Sequence, residues 1–116
     1  MCSPATKVVK YLLKTKNIGI LCDRASSSEL VAYSDADWAG NRDDRRSASG
    51  MMVRMCGAPV VWRSTFQKTV ALSSTEAHYM ALSECVKEVV WKRLLLKDLG
   101  SEQTGGAVVY EDTKVP

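Results

Sequence analysis

Apolar and polar positions in this chain change period from helical to alternating and back again, and the changes mark its elements. Near the amino terminus Val8, Val9, Leu12 and Leu13 recur at helical spacing, with Lys7, Lys10, Lys14 and Lys16 mostly off that stripe. Ser3 before Pro4 reads as an N-cap followed by proline at the first helical position, and Asn17 and Gly19 close the helix. Residues 18–22 predict a short strand and residues 23–29 a polar loop. Alternation then takes over, with Val31, Tyr33 and Asp35 on one face and Leu30, Ala32 and Ser34 on the other. This strand runs into Asp35, Asp37 and a mixed-sign turn over residues 42–46. Residues 49–56 and 60–66 predict two more strands around a turn at 57–59, although Met51, Met52 and Val53 blur the alternation. Short connections imply antiparallel pairing for all three.

The helical period returns after Ser73. Ser73 and Glu76 have capping-box spacing, and the helix they open runs to Leu99, where Gly100 stops it. A polar linker over residues 101–106 leads to a last apolar strand at 107–110, followed by Glu111 and Asp112. A strand reached through a long crossover helix is most simply parallel to an earlier one. The predicted fold is therefore α/β, with three antiparallel strands, one crossover helix and one parallel strand. Asp35 and Asp112 would sit at the carboxyl ends of two strands, adjacent if the last strand pairs with the first.

Composition narrows this picture. The 116 residues make one domain at most, and 46% apolar with 25% charged residues is a globular balance. A net charge of +3 permits nucleic-acid contact without demanding it. The four cysteines are widely spaced with no CxxC pair, which argues for reduced thiols over zinc. No signal peptide or membrane-length apolar run is visible, so an intracellular location, cytoplasm or nucleus, is expected. Trp38, Trp62 and Trp91 read as core residues and not as base-stacking platforms. Asp35 carries the chemical question, because a carboxylate ending a buried strand needs a cation, a nest of donors or a metal. The plain alternative is that Asp35 and Asp37 cap a strand and turn.

The segments YSDADWAGNRDDRRSASG and WRSTFQKTVALSSTEAHYMALSECVKEVVWKRLLLKDLG closely resemble the ribonuclease H region of copia-type LTR-retrotransposon Pol polyproteins. KVVKYLLKTKNIG, residues 7–19, resembles the helix ending the reverse transcriptase region that precedes it. The resemblance divides the chain into residues 1–28, a helix and linker, and residues 29–116, a partial ribonuclease H-like domain truncated at its carboxyl end. It implies hydrolysis of the RNA strand of an RNA–DNA hybrid by carboxylates that hold two Mg²⁺ ions. The hybrid would be recognised by groove shape, 2′-OH groups and backbone. The reverse transcriptase region of the parent polyprotein is the implied protein partner.

Carried over residue by residue, the first metal ligand is Asp35 and the third is Asp112, flanked by Glu111 and Thr113 where the family has a C-D-N segment. The second position, a glutamate in the family's EAEYMAL, is His78 in EAHYMAL. At about 100° per residue His78 lies roughly 20° from Cys85 on the inward stripe, whereas Glu76 lies roughly opposite Cys85, suited to capping. Glu76 and Asp37 are the possible substitutes. Imidazole suits Zn²⁺ or Mn²⁺ better than Mg²⁺, and it removes a negative charge from a site that must hold two dications. The expected activity is accordingly impaired hydrolysis. The alternative is a non-catalytic retroelement remnant or nucleic-acid-binding module, contacting phosphates through Arg45, Arg46 and Lys68. For the two arginines, a turn salt-bridged to Asp43 and Asp44 is the plainer expectation.

Overall fold

The computed structural model describes residues 3–24 and 29–111. Two helices, α1 (Pro4–Lys14) and α2 (Ser74–Asp98), accompany four strands, β1 (Val31–Asp37), β2 (Ala48–Met55), β3 (Ala58–Phe66) and β4 (Val108–Glu111). The strands form one mixed sheet in the order β3-β2-β1-β4. β1, β2 and β3 are antiparallel neighbours, and β4 joins β1 in parallel after the α2 crossover, as the pattern predicts.

Local chemistry explains most boundaries. Ser3 caps α1 by accepting the Thr6 N–H, and Ser73 caps α2 by accepting the Glu76 N–H at 3.1 Å. Gly100, at φ +87°, takes the left-handed conformation that ends α2. The β2–β3 reversal falls one residue earlier than the sequence suggests. Cys56 (φ 54°) and Gly57 (φ 74°) form a two-residue turn with both residues left-handed, the geometry that matches strand twist. Ala58 and Pro59 consequently pair within β3, opposite Met55 and Arg54, beside a register shift. β3 tolerates Pro59 because it is an edge strand.

The core lies on one side of the sheet. Leu30, Ala32 and Val53 meet Cys85 and Val89 of α2, with Met51, Met55, Val61, Leu96, Ala107 and Val109 packed around them. Small inward residues on α2, Ala77, Ala81 and Cys85, let the helix approach the strands closely. The other face is open: Tyr33, Met52, Trp62, Phe66 and Tyr110 are exposed there. Among the described residues α1 has no buried position and packs against no other element.

Two further expectations fail. Residues 18–22 form no strand; just beyond them the Asp23 N–H donates to the Cys56 carbonyl at 3.1 Å. The tryptophans are not core residues, being 48%, 62% and 54% exposed at positions 38, 62 and 91. Trp62 lies on the uncovered sheet face, and Trp91 sits outside the buried stripe of α2, with the Lys92 ammonium 4.4 Å from its ring centre. Trp38 is held at the end of β1 by its indole N–H, which donates to the Ala71 carbonyl at 3.1 Å.

Candidate functional site

β1 brings Asp35 to the open side of the sheet. Alternation buries Ala32 and Ser34 beneath α2 and leaves Tyr33, Asp35 and Asp37 exposed. The Asp35 carboxylate accepts the Ala36 N–H at 2.8 Å. It borders a shallow concavity of about 500 Å³ that also takes in Tyr33, Gly50, Met52, Tyr110 and Glu111. No α2 residue lines this hollow, which places it on the uncovered face. Its floor is the pair Tyr33 and Tyr110, stacked at 5.4 Å between ring centres with planes 21° apart. The parallel register that sets Tyr33 beside Tyr110 also sets Ser34 beside Glu111. Asp112, named as a ligand from the sequence, lies outside the described residues.

His78 and Glu76 sit as helix geometry anticipates. His78 is buried at 7% exposure, and its Nδ1 has no hydrogen-bond partner among the described residues. Glu76 is exposed and occupied in the cap, one carboxylate oxygen accepting the Leu72 N–H at 2.7 Å. Asp37 serves the turn after β1: its carboxylate lies so close to Gly40 that a Cβ there would come within 2.5 Å of Oδ2. Asp35 and His78 thus belong to different faces, one to the exposed alternation of β1 and one to the buried stripe of α2.

A hard dication needs several converging carboxylate oxygens. Among the described residues no three His, Cys, Asp or Glu side chains gather into such a set. Asp35 has the right donor chemistry for Mg²⁺ and is accessible. His78 offers an imidazole nitrogen in a buried setting, a donor type that does not suit Mg²⁺.

The candidate phosphate contacts divide. Arg46 is committed to its own turn, with Nε 2.8 Å from an Asp44 carboxylate oxygen and its guanidinium 5.9 Å from the Phe66 ring centre. The Arg46 backbone N–H, then its charge, hold the Asp44 carboxyl below the usual carboxylate value. Arg45 is exposed, at a left-handed φ of 58°. Lys68 is exposed just past β3.

Sequence reasoning passes over a buried polar cluster. Gln67, 1% exposed, donates from Nε2 to the Ser49 hydroxyl at 2.8 Å and to the Ala77 carbonyl at 2.9 Å. Its backbone N–H donates to the Ser47 carbonyl at 2.7 Å. It therefore ties the first turn of α2 to the ends of β2 and β3. Ser34 Oγ, Gln67 Oε1 and His78 Nδ1 are each buried without a partner among the described residues. The only advance signal is a glutamine at the end of an apolar strand, which is too common to single out.

The sheet order, the crossover helix and the exposed strand-end carboxylate define an α/β domain with an acidic strand tip. Over 106 residues, 91% of the chain, it is 41% identical to the retrovirus-related Pol polyprotein from transposon RE1 of Arabidopsis thaliana. Over 107 residues it is 40% identical to the corresponding polyprotein from transposon TNT 1-94 of Nicotiana tabacum. It is also 53% identical over 85 residues to secreted RxLR effector protein 161 of Plasmopara viticola. The chain spans 7% and 8% of the two polyproteins and 60% of the effector protein. No family model matches the chain, and no solved structure matches it significantly. Its homologues at about 40% identity over nine-tenths of its length are thus retrotransposon Pol polyproteins.

Proposed function

We propose that this chain is a retrotransposon-derived ribonuclease H-like domain whose hydrolysis of RNA–DNA hybrids is impaired at His78. The observation that supports it best is the sheet order β3-β2-β1-β4, with β4 parallel to β1 and Asp35 near the carboxyl end of the central strand. On this reading Asp35 and Asp112 are the oxygen ligands for Mg²⁺, which would supply water activation and stabilise the leaving oxygen. The chain's own contribution is to present Asp35 on an accessible face, next to a pair of rings over which a nucleic-acid backbone can lie. His78 holds the sequence position of the family's glutamate but lies on the buried stripe of α2, so a carboxylate there completes the charge only by reaching round the end of β1 toward Asp35. An imidazole brings no carboxylate oxygen to that requirement.

The test is cleavage of an end-labelled RNA–DNA hybrid in Mg²⁺. The chain as it stands gives no turnover above background, while His78→Glu raises cleavage at least tenfold, and adding Asp35→Asn or a chelator removes the gain. His78→Gln, similar in shape but uncharged, recovers nothing and controls for packing. Robust Mg²⁺-dependent turnover by the unaltered chain would sink the impairment. Failure of His78→Glu to gain activity, in a variant that keeps its thermal transition, would sink the assignment of position 78.

A further inference from the structure

Among the described residues two apolar surfaces of one chain are left uncovered, and they suit each other. α1 gathers Ala5, Val8, Val9, Leu12 and Leu13 on one arc at about 100° per residue, with Lys7, Lys10 and Lys14 on the opposite side. Its apolar side chains are exposed, 59% at Leu12 for instance, and it touches no other element among the described residues. An 11-residue helix is marginal in water by itself, so its amphipathic pattern needs an opposing surface. The open sheet face offers one in Tyr33, Met52, Trp62, Phe66 and Tyr110.

We propose that two copies of this chain pair about a two-fold axis, each laying the apolar arc of its α1 across the open sheet face of the other. The lysines of α1 lie opposite its apolar arc and stay in solvent when that arc meets the sheet, so the match is one of apolar surface and not of charge. Near that face Arg46 is paired with Asp44, while Arg54, donating to the Gly57 carbonyl at 2.7 Å, keeps its charge. Area also suffices. Four rings and Met52, each roughly half exposed, supply on the order of 400 Å², and the helix arc a comparable amount, together near the ~800 Å² per partner of a standard interface.

The shape of one chain points the same way. Its radius of gyration is 16.8 Å, against roughly 13 Å for a compact domain of this length, and its long axis reaches 48 Å because α1 stands away from the sheet. Reciprocal exchange closes the symmetry, so neither copy is left with an uncovered apolar face. This pairing does not rest on the hydrolase reading, and it occupies the Tyr33–Tyr110 face that the hydrolase reading gives to the nucleic-acid backbone, so the two compete for one surface.

Sedimentation of the full chain across a micromolar concentration series tests it. The expected result is a shift toward twice the 12.8 kDa chain mass as concentration rises. Leu12→Glu and Trp62→Glu, both at exposed positions, each reduce dimerisation at least tenfold while the β1–β2 amides keep their hydrogen-exchange protection. Mixing the two variants restores partial pairing, because the intact helix of one meets the intact sheet of the other. Monomer at every concentration would overturn the proposal, whether α1 is free or folded onto its own sheet. So would a dimer indifferent to Trp62→Glu, or an open face protected only when RNA–DNA hybrid is added.

Discussion

Cys85 shows how one residue's surroundings set its chemistry. It is fully buried in the core, with Sγ 3.8 Å from the Tyr33 carbonyl, and burial pushes its thiol up, the nearby Glu88 carboxylate adding to the effect. A raised folded-state value stabilises the fold below the ordinary thiol range, and that contribution fades as pH climbs through the elevated value. The thermal midpoint should therefore fall between about pH 8 and pH 10 more steeply for the native chain than for Cys85→Ala. A parallel pair of slopes would contradict this. Exposed Cys22 should alkylate readily under native conditions, and Cys85 only on unfolding. At this scale the sequence was a good guide where local geometry rules. The capping Glu76 and the Asp44–Arg46 turn follow from spacing of four residues or fewer, and the inward His78 from two turns of helical period to Cys85.

At the scale of elements, α2 is secured by two devices of unequal weight. The Ser73 cap satisfies one helix N–H, so Ser73→Ala should cost about 1 kcal/mol. Gln67 satisfies the Ser49 hydroxyl and the Ala77 carbonyl in a site without water access, and Gln67→Leu leaves both groups to find new partners, a cost of about 1–3 kcal/mol. Denaturant midpoints should rank Gln67→Leu below Ser73→Ala, and the reverse order would show that the buried contacts contribute little. The cap could be read from the sequence because it lies within a four-residue window. The glutamine could not, because its partners are 18 and 10 residues away and come together only when α2 docks. The tryptophans mislead for a related reason: large apolar rings are usually covered, but residue type does not say which sheet face a helix will cover.

The whole molecule is one sheet with its core on one side. Hydrogen exchange on dilute, monomeric chain should therefore be graded: slowest in β1 and β2, at the centre of the sheet, and fastest in α1, which among the described residues packs against no other helix or strand. Equal protection in α1 and β1 under those conditions would mean that the helix packs against its own sheet.

Alternation, helical stripes and caps were enough to determine the element types, the antiparallel trio and the parallel return through α2, because each depends on short-range periodicity or on connection length. Tertiary structure alone decided which face of the sheet is dry, that Asp35 lies on the wet one and His78 on the dry one, and that Gln67 joins helix to strands. Those outcomes depend on where α2 comes to rest, and a linear pattern carries parity along a strand but not the side from which a distant helix arrives.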